Sequence, residues 1–281
     1  MNKLKINYHT HNRLCNHAVG EASDYVLEAI NLNMTEIGLS DHGPILKSFM
    51  SEEDFKDTWS YRNMDLDKYK NIYIPELRRT KEKYGNKISI KFGLECEYLE
   101  NHDDFYRSFF NDMDYINLGV HFFEQNGKIV NSYYQVDYKN VYAYADTCIK
   151  AMETGFFTIL CHPDLFMWAY KDENGNRSFD IKARNASKRI IEAAIRTNTI
   201  LEINANGVLN SEKFLGNGNL LYPDDSFWEL ASKYKNLKII IGADAHDPKN
   251  LSGKHISYCH ELANRFNLNL VESVTFKNPL K

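Results

Sequence analysis

Nowhere in this sequence does an apolar run approach the roughly 18 residues of a membrane span, and the N-terminus enters a strand-like pattern instead of a signal-peptide core. No membrane partner and a cytoplasmic location are therefore expected. Cysteine is sparse: Cys15, Cys96, Cys148, Cys161 and Cys259 are odd in number and lack zinc-finger spacing, which argues against a disulfide framework and a cysteine-type zinc site. A basic stripe is also missing. With 34 Lys and Arg against 38 Asp and Glu, the chain offers no electrostatic footprint for nucleic acid, and a small substrate is favoured. Neither G-x-G-x-x-G nor G-x-x-x-x-G-K-[ST] occurs, which argues against dinucleotide and P-loop chemistry. The G-x-S-x-G elbow of serine hydrolases is absent too. There is no solenoid repeat and no low-complexity tract.

What is present is an alternation of short apolar strands and amphipathic helices. At 281 residues, with 43% hydrophobic and 26% charged residues, the chain suits one soluble α/β barrel domain spanning residues 1–281. A strand over residues 4–9 is followed by a helix opening at Gly20-Glu21-Ala22-Ser23, and by the strand Thr35 to Ser40. The polar, aromatic segment Ile45–Asp65 reads as a wall of the site, and a helix from Leu66 to Tyr84 is expected to break or restart at Pro75. Further strands are read at Ile88–Phe92, Asp112–Val120, Phe156–Cys161, Thr199–Ile203 and Leu237–Gly242. Helices are read over 137–153, 180–198, from Pro223 at N1 through Tyr234, and near 256–266. A hairpin over Phe122–Ser132 turns at Asn126-Gly127, Val208–Tyr222 reads as a loop, and a last strand lies near 269–276. Helical crossovers between strands require parallel pairing, so the fold class is α/β, and a closed barrel accommodates about seven units best.

The chemistry sits at the strand ends. His9 and His11 share one side of the first strand by its period of two, with His17 in the loop beyond. Later strands deliver His42, Glu95, His121, His162, and the pair Asp244 and His246. Each histidine alone is as readily a hydrogen-bonded or surface side chain. As a set they share one end of successive strands, where a barrel holds its chemistry; only His102, His255 and His260 fall outside. Nine N and O donors exceed the three or four of a single catalytic metal, so two to three divalent transition ions (Zn, Mn or Fe) are implied. Cys96 and Cys161 neighbour candidate ligands, but strand alternation should turn them to the opposite face as small buried thiols.

His9-x-His11, His17, Asp41-His42, Gly93-x-Glu95, His121, His162-Pro163 and Asp244-x-His246 resemble the motifs of the PHP (polymerase and histidinol phosphatase) superfamily. The long insertions, Glu97-Tyr98 and Asn204-x-x-Gly207 resemble its monofunctional histidinol-phosphate phosphatases. The resemblance implies a distorted (β/α)7 barrel with a trinuclear centre at the C-terminal strand ends. One metal would take His9, His11, Glu95 and Asp244; a second, bridged by Glu95, would take His121 and His162; a third would take His17, His42 and His246. Glu95, Asp244 and His246 would be most directly tied to catalysis, and Asp41 would orient a neighbouring imidazole.

The expected reaction is hydrolysis of a small phosphate ester, L-histidinol phosphate, by attack of a metal-bound hydroxide. Arg177 and Arg184 are the candidate phosphate clamp, although both also read as solvated arginines. Glu97, Asp164 and Asn204 are candidate partners for the cationic end of the substrate. The aromatic residues Trp59, Tyr61, Phe166 and Trp168 read as wall packing. Other PHP-type phosphoesterases, acting on nucleotides or phosphotyrosine, remain open as alternatives, as does a non-catalytic metal-binding module. An amidohydrolase is disfavoured because no lysine stands at a strand end.

Overall fold

The computed structural model describes residues 3–58, 64–216 and 218–280, with Asp57 by its main chain alone. Trp59 and Tyr61 therefore lie outside the described residues. In chain order the elements are β1 (Ile6–Asn7), α1 (Ala22–Asn31), β2 (Glu36–Leu39), α2 (Glu52–Asp57), α3 (Leu66–Lys68), a π-helical turn (Tyr69–Tyr73), α4 (Ile74–Tyr84), β3 (Ser89–Cys96), α5 (Asp103–Phe109) and β4 (Tyr115–Leu118). There follow β5 (Phe122–Gln125), β6 (Lys128–Asn131), α6 (Val141–Glu153), β7 (Phe157–Leu160), α7 (Ile181–Thr197), β8 (Ile200–Asn204), α8 (Ala205–Leu215), α9 (Asp225–Ala231), β9 (Ile239–Gly242) and α10 (Lys254–Arg265). None of the described helices is long and apolar enough to cross a membrane.

Seven parallel strands lie in the order β1-β2-β3-β4-β7-β8-β9. A bridge between Thr10 and Ala245 joins the two outer strands, with His11 N donating to Ala245 O at 2.9 Å. The sheet is thus a nearly closed, distorted (β/α)7 barrel. Every residue of β4, β7, β8 and β9 is buried, which is why these strands read as continuous apolar runs instead of alternating ones. The larger core fills the space between sheet and helices, while Tyr8, Tyr115, Ile159, Cys161, Ile200 and Ile240 pack inside the barrel. The β5–β6 hairpin turns at Asn126 and Gly127, both with positive φ, as expected for that dipeptide.

Several local expectations are corrected. The helix restarts beside Pro75, with α4 opening at Ile74 after the π-helical turn, but Ile74 is not pushed out of the helical region: it stays at φ −56° and ψ −49°. Most of the loop expected over 208–222 is helix, since Asn204 accepts from Gly207 N as an N-cap and Gly216 ends α8 in the left-handed region. Pro223 does not open the next helix. Asp224 caps it, accepting from Ser226 N and Phe227 N, and the helix ends at Ala231. β1 pairs over only two residues, and the segment near 269–276 forms a single bridge, Leu270 to Ile239, before running on as an irregular tail. Val271, Val274 and Phe276 of that tail pack against the barrel interior from its N-terminal end.

Candidate metal centre

At the C-terminal strand ends the nine expected donors converge. Glu95, 2% exposed, lies at their middle: its oxygens stand 3.4 Å from His9 Nε2, 3.5 Å from His11 Nε2, 3.1 Å from His42 Nδ1, 3.7 Å from His121 Nε2 and 3.0 Å from His162 Nε2. Asp244 Oδ1 lies 3.4 Å from His9 Nε2 and 3.0 Å from His11 Nε2. Donor atoms of His9, His11 and Asp244, of His42, Glu95 and His121, and of His11, His42 and His246 each fall within 4.8 Å of one another. The His17 ring is 5.1 Å from that of His42 and 4.9 Å from that of His246. His162 and Asp244 have positive φ, +33° and +46°, which turns each strand end inward at a conformational cost of about 1–3 kcal/mol per residue.

The hydrogen-bonding pattern suits cations. His9 Nε2, both ring nitrogens of His11, His162 Nδ1, Glu95 Oε2 and Asp244 Oδ1 are buried without a hydrogen bond. Buried polar atoms are normally satisfied, and four of these, His9 Nε2, His11 Nε2, Glu95 Oε2 and Asp244 Oδ1, face a common point with imidazole-to-carboxylate distances of 3.0–3.5 Å. The opposite ring nitrogen is often anchored: His9 Nδ1 to Glu202 at 2.8 Å, His17 Nδ1 to Cys15 O at 2.6 Å, His121 Nδ1 to Glu97 at 2.5 Å, and His246 Nδ1 to Asp244 O at 3.0 Å. An oxygen holding Nδ1–H fixes the tautomer and leaves the Nε2 lone pair for a metal.

The electrostatics agree. Burial, then neighbouring imidazoles, hold His17 down to about 4 and His42 and His246 to about 3, so these three are neutral near pH 7. Burial also disfavours charge on His11 and His121. Asp244 and Asp41 nevertheless lift His11 to about 9, and Glu97 and Glu95 lift His121 to about 9. Burial would raise the carboxyls of Glu95 and Asp244, yet the surrounding histidines keep both well below the ordinary range. The inner carboxylates therefore stay ionised and attract positive charge. The donor set fits divalent transition metals.

The expected substrate contacts are placed differently. Arg177 and Arg184 are not brought to the metal pocket: Arg177 donates to Leu221 O and pairs with Asp224 in a separate groove, while Arg184 is exposed beside Phe179. Glu97 spends both oxygens on His121, one on its backbone N and one on Nδ1. Asp164 accepts from Asp224 N and Trp228 Nε1, tying the segment after β7 to the start of α9, and burial lifts its carboxyl to about 7. Asn204 caps α8 and donates to Glu202 and Asp244. Phe166 is buried against Tyr144 and Tyr170, and Trp168 packs on Tyr133, Phe214 and Tyr222. Cys161 does not face away from the site. The left-handed backbone at His162 interrupts strand alternation, and the Cys161 thiol points into the barrel beside His9.

Reading the sequence missed two groups of residues. Glu202 holds His9; its signal was an acid inside the apolar strand Ile200-Leu201-Glu202-Ile203, where only a paired charge survives burial. Asn206, Asn210 and Lys213 of α8 line the cavity of about 370 Å³ that opens over the metal ligands. Asn210 and Lys213 fall in the stretch Val208–Tyr222 that reads as a loop, which hid the helical face they share with Asn206.

With this geometry in hand, the match to known families is decisive: the PHP domain model aligns to residues 7–206. The chain belongs to the PHP-domain family. Among curated relatives, a probable histidinol-phosphatase of Deinococcus radiodurans is 23% identical over 167 residues, covering 56% of this chain and 59% of that protein. The alignment thus spans little more than half of the relative's length. Two crystal structures share the PHP barrel. A putative histidinol phosphatase of Listeria monocytogenes superposes with a TM-score of 0.74 at 20% identity, covering 90% of this chain and 100% of the other. The histidinol phosphate phosphatase of Lactococcus lactis, complexed with zinc, L-histidinol and phosphate, superposes with a TM-score of 0.67 at 17% identity, covering 99% and 98%.

Proposed function

We propose that this PHP protein is a metal-dependent phosphomonoesterase whose substrate is L-histidinol phosphate, acting in histidine biosynthesis. The reading is carried by the cluster of buried imidazole and carboxylate atoms that lack hydrogen bonds beneath an open cavity. His9, His11, Glu95 and Asp244 would hold one ion, His121 and His162 a second shared through Glu95, and His17, His42 and His246 a third. Metal ions bound there supply positive charge for a phosphoryl group and acidify water.

The chain's own contribution is orientation. Glu202, Glu97 and the carbonyls of Cys15 and Asp244 hold four imidazoles by Nδ1, which fixes the orientation of those four ligands in advance. Lys213 takes over the phosphate-clamp role first given to the arginines. It is the only Lys or Arg among the described residues lining the cavity. Asn206, Asn210 and Lys213 stand on one face of α8 at helical spacing, and side chains on a helix lean toward its N-terminus, here toward the metal ligands. The amide oxygens of Asn206 and Asn210 are suited to the ammonium and imidazole of histidinol.

A panel of phosphate monoesters, diesters and amides, assayed on metal-stripped and metal-restored protein, tests the reading. Histidinol phosphate should exceed p-nitrophenyl phosphate in kcat/KM despite the poorer leaving group. Full activity without metal would end the proposal. Lys213→Met should raise KM for every phosphate ester, by roughly tenfold for a lost charge-assisted hydrogen bond. One observation favours a second reading. Glu97 is already committed to His121, so no described carboxylate in the cavity outside the metal ligands is left for an ammonium group. A better rate on an ester with a neutral or acidic leaving group, a nucleotide or phosphotyrosine, would select another phosphoesterase of this family.

A further inference from the structure

His9 and His11, both buried, ride on a segment with little regular support. The β1 ladder ends at Asn7, so the main chain from Tyr8 to His11 continues beyond it. Toward β9 this segment keeps backbone bonds, with Ala245 N donating to His9 O at 3.3 Å and His11 N to Ala245 O at 2.9 Å. Toward β2 and β4 it is held by side chains. The carbonyl of Tyr8, the group immediately before His9, receives Tyr115 Oη at 2.9 Å, Asn117 Nδ2 at 2.8 Å and Ser40 Oγ at 3.0 Å.

Tyr115 reaches that carbonyl from β4, across the inside of the barrel. It is fully buried, and room for its ring exists only because two neighbouring strands carry glycine at the crossing. A Cβ at Gly38 would lie 2.1 Å from Tyr115 Oη, and one at Gly93 2.2 Å from Cζ. From below, Phe276 of the tail stacks on the ring with centroids 4.8 Å apart and planes 17° from parallel. A long side chain carried past two glycines, and clamped from beneath, delivers one hydroxyl to one peptide.

We propose that Tyr115 is a positioning residue for the metal centre, its hydroxyl setting the peptide that aims His9 and His11. The inference rests on the metal-centre reading and is independent of the substrate. Ligand-orienting partners are worth roughly 10–100-fold in metal affinity. With Asn117 and Ser40 sharing the carbonyl, the lower end applies.

Tyr115→Phe deletes the hydroxyl and keeps the ring. Zinc affinity, measured by competition with a chelating dye, should weaken about tenfold. Ile159→Val, in the same interior layer but without a bond to the Tyr8 carbonyl, serves as the control for general loosening. It should lower the apo-protein Tm while leaving zinc affinity at the wild-type value. Wild-type zinc affinity in Tyr115→Phe overturns the proposal, as does a loss of affinity that follows apo-protein Tm across both variants. If the wild-type protein binds no zinc, the metal-centre reading itself fails, which is a separate result.

Discussion

The two ends of the barrel are built from the same strands and obey opposite rules. At the C-terminal end, buried polar atoms are left without hydrogen bonds, and His162 and Asp244 adopt positive φ. At the N-terminal end the tail closes the interior with apolar side chains: Phe276 meets Tyr8 edge-on at 5.2 Å and stacks on Tyr115. Unsatisfied buried groups cost free energy, whereas packed aromatic surface supplies it. One end thus stabilises a molecule whose other end is kept costly for ligand binding.

The largest break in this contrast is expected at Glu95. Its side chain reaches five histidines, so Glu95→Gln should lower bound metal by more than one equivalent. His17→Ala should remove about one. Activity of Glu95→Gln should fall beyond the ~100-fold that bounds the effect of an indirect partner. Equal, single-ion losses measured by metal analysis would contradict a bridging role.

Next in size is Glu97→Gln, which touches the centre only through His121. Metal affinity should drop roughly 10–100-fold, and all substrates should suffer alike. A loss confined to histidinol phosphate would return Glu97 to substrate recognition. At the other end, Phe276→Ala should cost about 2–3 kcal/mol, below the ~3–5 kcal/mol of a fully buried ring, because Phe276 is only partly buried. Urea unfolding measures it, and metal stoichiometry at saturation should stay unchanged.

The contrast also shows in the pH dependence of stability. Asp164, near the top, is lifted by burial from 3.8 to about 7. The folded state then binds the extra proton between those values, and its contribution to stability is lost as pH rises through that window. Asp164→Asn should remove this decline. Lys277, at the bottom, is lowered by burial from 10.5 to about 8, so its contribution rises as pH goes from 8 to 10.5. Lys277→Met should flatten that rise. Unfolding free energies of each variant and wild type across the two windows check both signs.

Much of the architecture was legible because strand periodicity and ligand chemistry repeat locally. His42, Glu95, His121, His162, Asp244 and His246 were all found by asking what each apolar run delivers at its end. The segments that misled share a different cause. Asn204-Ala205-Asn206-Gly207 carries turn-type residues, and only the cap at Asn204 and the packing of α8 turn it into a helix over the cavity. The tail reads as a strand by pattern, but beyond Leu270 it makes no ladder, and its apolar residues instead fill the barrel floor.

The sequence by itself determined the α/β alternation, the family and the set of metal-type residues, since each depends on neighbours a few positions apart or on motifs in order. Only the tertiary structure decided which charges meet. Arg177 lies downstream of His162 yet is drawn off by Asp224, and Lys213, which belongs to no motif, lines the cavity. Glu97 turns to His121 instead of the open site, and Tyr115 crosses the barrel to Tyr8 over 107 residues of chain. Such pairings follow from how strands and crossovers close in space, and proximity along the chain carries no information about them.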